Sequence, residues 1–402
     1  MAMGITERRG VVYVSTCHAL IHIVELAYGV VLIAMAKDLG MTLLTLGVLA
    51  NVFGLVYGIT ALPIGVIADR MSATKLLGLS SMAIGVAAVV VSMAQGTFAL
   101  GVGLSLLGVA LGVFHPVANA FISRISTSVG LGFAYIGIGG NLGLALGPII
   151  IGAIASGSDW RIAYAVMAVP AVVLGLLFLR FPDGSRASSG HVPNHLASAP
   201  ISLRQFLAPL IVVVLLGVLN GLIYRAVVTF LPTHLSTNVH MSRTGIDSVL
   251  LAGSFTTVAL LFGVGGQFLG GFLCDRWSKE GIVVLSTAVT VPALAAVWTM
   301  EGSLLLGAAA LFAFFHFMAQ PVFNALVAGY TPVLWRGRMF GIYFFCSLAV
   351  GSFSATGLGY VAESRGMEVV FMACAVLALV ATAVSVPLVV WARRRASHIR
   401  PV

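Results

Sequence analysis

Charged residues are scarce in this sequence. Asp, Glu, Lys and Arg make up 8% of the 402 residues, whereas 60% are hydrophobic. A soluble domain carries about 25% charged residues, so the composition excludes an ordinary water-soluble protein. The net charge of +9 would suggest a nucleic-acid partner in a soluble protein. Here the basic residues lie in short gaps between apolar runs, which indicates membrane topology and no nucleic-acid partner.

Cysteine and the motifs of common enzyme sites are also lacking. The four cysteines fall in or beside apolar stretches without CxxC spacing, which excludes a disulfide framework and a zinc site. The sequence contains no GxxxxGK[ST] motif, so ATP hydrolysis by this chain is unsupported. With no strand expected, a dinucleotide-binding fingerprint is also absent. We therefore expect no enzyme activity, no cofactor and no resident metal.

What the sequence has instead is a series of long apolar runs. A helix that crosses a bilayer needs about 20 apolar residues. Twelve such runs occur, at about 11–36, 44–68, 76–95, 97–122, 129–156, 161–181, 206–232, 246–273, 281–299, 303–329, 338–362 and 368–392. We predict an all-α membrane protein with twelve transmembrane helices.

One long polar stretch interrupts the series. Residues 182–205 are rich in Ser, Pro and Gly, which predicts a flexible linker. The linker divides the chain into an N-terminal six-helix half, 1–181, and a C-terminal six-helix half with a short basic tail, 206–402. If both termini lie on one side, 16 of the 21 Lys and Arg residues lie there too, against four on the other side and Arg225 within a span. The excess of basic residues predicts that both termini and the linker are cytoplasmic.

The two halves repeat each other. Residues 65–72 (GVIADRMS) match residues 271–278 (GFLCDRWS), and residues 115–120 (HPVANA) match residues 320–325 (QPVFNA). Both matches are about 206 positions apart, which corresponds to six spans. A duplication of an even number of spans inserts both halves with the same topology, and transporters built this way bind substrate near the midplane between the halves.

These motifs resemble those of the major facilitator superfamily over the whole chain. The loop from Gly65 to Lys75 is similar to the family's motif between its second and third helices. The resemblance implies a major facilitator fold that acts as a monomer, with conformational gating at the loop residues of both repeats: Asp69, Arg70, Asp275 and Arg276. The stretch with Gly143, Gly147 and Pro148 resembles the glycine-rich motif of the antiporter branch, which implies efflux.

A narrower resemblance is to exporters of the fosmidomycin-resistance type. It rests on Cys17-His18, on Phe114-His115-Pro116 and on Gly139-Gly140-Asn141. That family usually has an aspartate, the natural proton carrier, where this chain has His22. Glu25 would then have to take its place.

Ionisable residues within the spans are the candidate functional residues. A charge at the bilayer centre costs on the order of 3 kcal/mol. His18, His22 and Glu25 lie within about 60° of arc on one helix face. Further polar residues occur on the fourth, seventh and tenth spans, which line the central pathway in the superfamily; the candidate substrate ligands are Arg225, His115, Asn119, Tyr224, Gln320 and Asn324. Alternative structural roles are a pairing of Glu25 with His22 or Arg225, a proline kink at His115 and simple packing of His316.

The favoured hypothesis is a proton-coupled exporter of a small anionic or drug-like molecule in a bacterial inner membrane. A carboxylate beside a histidine can relay protons, so Glu25 with His22 or His18 would carry them. The Arg225 guanidinium would bind an anionic group of the substrate. Three alternatives remain: a transition-metal or metal-chelate transporter using His18, His22 and Glu25, a proton-coupled importer of a small organic acid, and a membrane receptor or scaffold that does not transport. Protons, a small-molecule substrate and membrane lipid are the expected partners.

Overall fold

The computed structural model describes residues 4–181, 203–239 and 248–399. Within these ranges all regular secondary structure is helical. The helices are α1 (Ile5–Leu39), α2 (Leu43–Ala68), α3 (Ala73–Ser92), α4 (Thr97–Gly112), α5 (Phe114–Ile125), α6 (Val129–Gly157), α7 (Trp160–Arg180), α8 (Leu203–Asn238), α9 (Ser248–Cys274), α10 (Lys279–Thr299), α11 (Gly302–Gly329), α12 (Arg336–Phe344), α13 (Gly351–Arg365) and α14 (Glu368–Ile399). Twelve segments of the described chain are long and apolar enough to cross a membrane, so the predicted fold class is confirmed.

The outward faces of these helices are apolar. Large side chains such as Val86, Phe98 and Leu304 are 62%, 85% and 67% exposed. A helix that is hydrophobic all round is buried either in protein or in a membrane. Because a helix also satisfies its backbone hydrogen bonds internally, these exposed surfaces are suited to lipid.

Two of the spans are not continuous α-helices. The span Thr97–Ile125 consists of α4 and α5, with the break at Val113. Pro116 has no N–H to donate to the carbonyl of Gly112, the residue at which α4 ends. The span Val333–Arg365 contains a 3₁₀ turn, then α12, a π-helical segment at Phe345–Val350 and α13. Such π segments occur frequently at functional sites.

The described chain divides into two compact units. The first comprises Met1–Thr127, Tyr135–Gly190 and Leu334–Ala349, and the second comprises Ser128–Ala134, His191–Val333 and Val350–Val402. Each unit therefore contains one short segment from the other half of the sequence. The predicted boundary falls in the linker 182–205, of which residues 182–202 lie outside the described ranges, so the division into two halves at this point stays a prediction.

Candidate functional site

Helix α1 carries the polar stripe of the first unit. His18 and His22 are 8% and 9% exposed, and the Glu25 side chain is 8% exposed. A helix brings residues three and four apart to neighbouring positions on one face, and the three side chains do meet, as their spacing predicts.

The three side chains form a hydrogen-bonded chain. Nδ1 of His18 lies 2.7 Å from the carbonyl oxygen of Ile136. Nε2 of His18 lies 3.0 Å from Nε2 of His22, and Nδ1 of His22 lies 2.9 Å from Oε2 of Glu25. The chain thus runs from a backbone carbonyl on α6 to a carboxyl group on α1.

The order of donors along these three hydrogen bonds fixes how many protons the side chains hold together. A carbonyl only accepts, so Nδ1 of His18 donates to Ile136 and Nε2 of a neutral His18 accepts. Nε2 of His22 must therefore carry the proton between the two rings. The remaining bond needs either an imidazolium at His22 beside a carboxylate, or a neutral His22 that accepts from a protonated Glu25. In both cases the His22–Glu25 pair holds one proton more than a neutral histidine beside a carboxylate.

His115 on α5 joins this group from another span. Its ring centroid lies 5.0 Å from that of His18 and 5.9 Å from that of His22. Phe344, directly before the π-helical segment, stacks on His115 at 4.8 Å, and Tyr57 stacks on it at 6.1 Å. Nε2 of His115 is buried and has no hydrogen-bond partner among the described residues.

The glycines of α6 bring that helix into close contact with α1. A β-carbon on Gly140 would lie 2.5 Å from Cε1 of His18, and β-carbons on Gly139 and Gly143 would collide with the carbonyl oxygens of Ser15 and Ala19. Only hydrogen atoms in place of side chains allow this approach. The glycines therefore position His18 against the Ile136 carbonyl.

The other residues of the antiporter-like motif follow on the same helix. A β-carbon on Gly147 would lie 3.2 Å from Cα of Ile23 on α1, and Pro148 lies inside α6. The motif thus contacts α1 at Ala19 and Ile23, beside the polar stripe.

The histidines also form the one potential metal-binding group among the described residues. Nitrogen atoms of His18, His22 and His115 lie within 4.8 Å of one another. A tetrahedral ion holding imidazole nitrogens at about 2.0–2.1 Å sets them about 3.4 Å apart. Since His18 and His22 bond each other directly, an ion would have to displace that bond. The geometry favours a hydrogen-bonded chain over a metal centre.

Asn119, the second predicted substrate ligand of the fourth span, is 2% exposed. Its Nδ2 donates to the carbonyl oxygen of His115 at 2.9 Å, and its Oδ1 has no partner within the described residues. The side chain is thus anchored to the turn that carries His115.

The second unit contains the predicted residues of the seventh and tenth spans. The Tyr224 ring is parallel to the His316 ring at 6.3 Å, and Phe312 stacks on His316 at 5.0 Å. This aromatic packing agrees with the packing role considered for His316. Gln320 accepts a hydrogen bond from Nε2 of Gln267 at 2.7 Å. Arg225 and Asn324 are half-buried.

Asp69 binds the start of α12 within the first unit. Its carboxylate accepts from the backbone N–H groups of Gly337 and Arg338 at 2.7 and 3.1 Å. It also lies 3.2 Å from Nη2 of Arg124 and 3.6 Å from Nε of Arg338. An anionic side chain at a helix N-terminus complements the helix dipole. With a side-chain exposure of 2%, Asp69 is the buried centre of this network.

Asp275 makes the equivalent contact within the second unit. Its carboxylate accepts from the backbone N–H groups of Gly130 and Leu131 at 2.8 and 3.0 Å, at the start of α6. Asp275 follows Asp69 by 206 positions, and Gly337 follows Gly130 by 207. The duplicated motif therefore makes the same cap twice, each time on a helix from the other half of the sequence.

The arginines of the motif have other surroundings. Arg70 is exposed, and Arg276 donates to the carbonyl oxygen of Phe272 and lies 3.6 Å above its ring. Asp69 instead pairs with the guanidinium groups of Arg124 and Arg338. These arginine partners were not predicted from the sequence. The helix starts that the two aspartates cap are nevertheless repeated, because Gly130 and Phe133 match Gly337 and Phe340 at a spacing of 207 positions.

Similarity to known proteins agrees with this architecture. The profile of the Major Facilitator Superfamily matches residues 14–356 and 248–401. The uncharacterized MFS-type transporter YfnC of Bacillus subtilis is 23% identical over 384 residues, covering 93% of this chain and 91% of YfnC. The fosmidomycin resistance protein of Escherichia coli is 23% identical over 291 residues, covering 68% of this chain and 67% of the relative.

Solved structures share the fold. The proton:xylose symporter XylE aligns with a TM-score of 0.76 at 12% identity, covering 94% of each chain. The human organic anion transporter MFSD10 aligns with a TM-score of 0.73 at 18% identity, covering 94% of this chain and 99% of that one. Together with the twelve apolar helices, the profile match shows that this chain is an integral, multi-pass membrane transporter that belongs to the Major Facilitator Superfamily.

Proposed function

We propose that this transporter couples the efflux of a small anionic or drug-like molecule to proton movement by alternating access. The observation that carries the proposal is the buried chain from the Ile136 carbonyl through His18 and His22 to Glu25. Its donor order gives the His22–Glu25 pair one proton that can be released without moving His18.

The relay works through Glu25 and His22. When the cavity opens to one side, water reaches the pair and takes the proton; when it opens to the other, the pair is reloaded. His18 keeps its tautomer because of its bond to Ile136, so it positions His22 and is not itself the exchanging group. The titratable neighbours of the pair include His18 on α1 and His115 on α5, and Tyr57 on α2 stacks on His115.

The substrate is bound by the polar residues of the remaining pathway helices. Arg225 holds an anionic group, because a guanidinium stays protonated and binds phosphonate or carboxylate through two parallel hydrogen bonds. The further ligands are His115, Asn119, Tyr224, Gln320 and Asn324. Proton and substrate compete, as their exchange requires: the transporter carries either the proton on the His22–Glu25 pair or the substrate, and not both at once.

Two observations support outward transport. The glycines of α6 lie in the stretch that resembles the antiporter motif, and one relative is named a fosmidomycin resistance protein. We propose a location in a bacterial inner membrane with both termini cytoplasmic and a monomer as the active form. The aspartate caps of α6 and α12, with Arg70 and Arg276 beside them, serve as conformational gates.

The proposal is tested in proteoliposomes that contain a pH-sensitive dye. Phosphonates, small organic acids, cationic drugs and divalent metals are added in turn under an imposed gradient. We expect a pH change with one anionic compound in the wild type. The Glu25→Gln variant should lose gradient-driven transport and keep counterflow exchange, because it still binds substrate but cannot release a proton.

The matched control is Glu363→Gln, since Glu363 is exposed on α13; it should behave as the wild type. If Glu25→Gln lost both activities, Glu25 would be needed for binding or folding and the relay would be wrong. Uptake along the same gradient would favour the importer of small organic acids. Zinc or nickel transport that disappears in a His18→Ala/His22→Ala variant would favour a metal cargo.

A further inference from the structure

A cavity lies in the first unit, at the ends of two spans. It has a volume of about 170 Å³ and is lined by Thr6, Arg9, Tyr13, Leu177, Arg180 and Phe181. It lies between the first turns of α1 and the last turn of α7. The proton relay and the predicted substrate ligands do not include any of these residues.

The two arginines make this cavity basic. Arg9 and Arg180 are both exposed and approach the cavity from different helices. Among the described residues, no carboxylate forms an ion pair with either guanidinium. Glu7, the acidic residue in the first turn of α1, is directed elsewhere: its carboxylate accepts from the backbone N–H and the hydroxyl of Thr127.

Apart from Thr6, the rest of the lining is apolar or aromatic. The Tyr13 ring makes edge contacts with Phe178 at 6.1 Å and with Phe181 at 5.5 Å, and Leu177 is 37% exposed. A basic mouth next to a partly exposed apolar wall matches a molecule with an anionic head and hydrocarbon chains. A free phosphate ion would use the arginines and gain nothing from the apolar wall.

We propose that this cavity binds the headgroup of an anionic phospholipid. The arginines hold the phosphate, while Leu177 and the Tyr13–Phe181 pair contact the glycerol and the upper acyl chains. With the proposed orientation, the cavity faces the cytoplasmic leaflet, whose anionic lipids attract basic residues next to spans. The inference is independent of the proton relay, because Glu25 and His22 are not involved.

The test is native mass spectrometry of the full chain, delipidated in detergent and titrated with phosphatidylglycerol or with phosphatidylcholine of the same acyl chains. The wild type should bind phosphatidylglycerol more tightly. An Arg9→Gln/Arg180→Gln variant should lose affinity for it on the order of tenfold or more, given the attraction of about 1 kcal/mol for each basic residue, and should bind phosphatidylcholine unchanged.

The matched control is Arg8→Gln/Arg393→Gln, which removes the same charge from two exposed positions outside the cavity and should keep the wild-type preference. An equal loss of phosphatidylglycerol affinity in both double variants would show that the effect depends only on overall charge, which would overturn the proposal. Inorganic phosphate that displaced the lipid would point to a free-phosphate site and also overturn it. Should the glutamine variant fail to fold, Arg9→Lys/Arg180→Lys keeps the charge and should bind with intermediate affinity.

Discussion

At the scale of single residues, the position of His18 depends on a residue without a side chain. Gly140 presents its backbone to the imidazole ring, and the ring fills the space that a β-carbon would occupy. The ring is held between this backbone and Phe114, which stacks on it at 5.1 Å. Any side chain at position 140 must therefore move the ring away from the Ile136 carbonyl.

We expect Gly140→Ala to impair proton-coupled transport. The new methyl group would force His18 to shift, which breaks its bond to Ile136 and frees its tautomer, and crowding of this kind costs about 1–3 kcal/mol of stability. The measurement is the substrate-triggered pH change in proteoliposomes together with the Tm in detergent. Gly152→Ala is the control, because a β-carbon there meets only Val30 Cγ1 at 3.9 Å; wild-type transport in Gly140→Ala would contradict the positioning role.

At the scale of the helices, apolar run length predicted all twelve spans, with ends within about six residues of those observed; the start of the run 246–273 lies outside the described residues. The break of the run 97–122 into two helices was considered only as an alternative, a proline kink at His115, and the π-helical segment in the run 338–362 was not predicted. Composition indicates whether a segment is apolar, but it does not indicate where an α-helix stops or where its backbone hydrogen bonds change to the π-helical pattern. The spacing of His18, His22 and Glu25 predicted their meeting on one helix, whereas the approach of His115 depends on how α5 packs.

The ends of helices carry polar contacts that apolar patterning does not reveal. Asp38, at the end of α1, accepts from Nη1 of Arg161 and from Nε1 of Trp160 at the start of α7. Arg161 also donates to the carbonyl oxygen of Ala94 at 3.0 Å. These bonds stabilise the charged carboxylate, so the pKa of Asp38 is lowered, chiefly by Arg161 and next by Trp160.

This contact predicts a pH-dependent stability. Because the pKa of Asp38 is lower in the folded chain than its ordinary value of 3.8, the stabilisation is present above that value and is lost as the pH falls through the folded pKa. Asp38→Asn should lower the Tm slightly at neutral pH, since exposed pairs contribute little. The difference from the wild type should shrink below pH 3.8, as followed by tryptophan fluorescence. Trp160→Phe removes one of the two donors together with some buried packing, so the acid-sensitive part of its Tm difference from the wild type should be smaller than that of Asp38→Asn. A difference that grows in acid would contradict this account.

At the scale of the whole molecule, the duplication explains why the aspartate caps come in a pair. Gly65 and Gly337 approach each other closely, as do Gly271 and Gly130, so each cap combines a close backbone contact with a carboxylate acceptor. The repeated GxxxDR motif was visible in the sequence. Its partners were not, because they lie more than 140 positions away in the chain.

We expect the two caps to differ in strength. Asp69→Ala leaves buried donors without an acceptor and should destabilise the protein by about 2 kcal/mol, whereas Asp275→Ala, at an exposed position, should have a smaller effect. Thermal unfolding in detergent measures both. Arg70→Ala, next to Asp69 and exposed, is the control; a Tm decrease as large as that of Asp69→Ala would show that the cap is not the cause.

The charge distribution predicts the orientation of the whole chain. Alkaline phosphatase fused after residue 402 should be inactive in a bacterial host, and green fluorescent protein at the same point should fluoresce, because both termini are predicted to be cytoplasmic. Alkaline phosphatase inserted after Gly40, between α1 and α2, should be active and serves as the control. The reverse pattern would invert the assignment.

The exchange of segments between the two units also sets an order of events during synthesis. Residues 334–349 complete the first unit, yet the ribosome makes them after the greater part of the second. The segment 128–134, which belongs to the second unit, is already available when that unit emerges. The nascent first unit must therefore remain in the membrane with Asp69 still without its backbone donors from α12. The first unit can be completed only after residue 349 has been translated. The segment 128–134 of the second unit, in contrast, is translated before the rest of that unit.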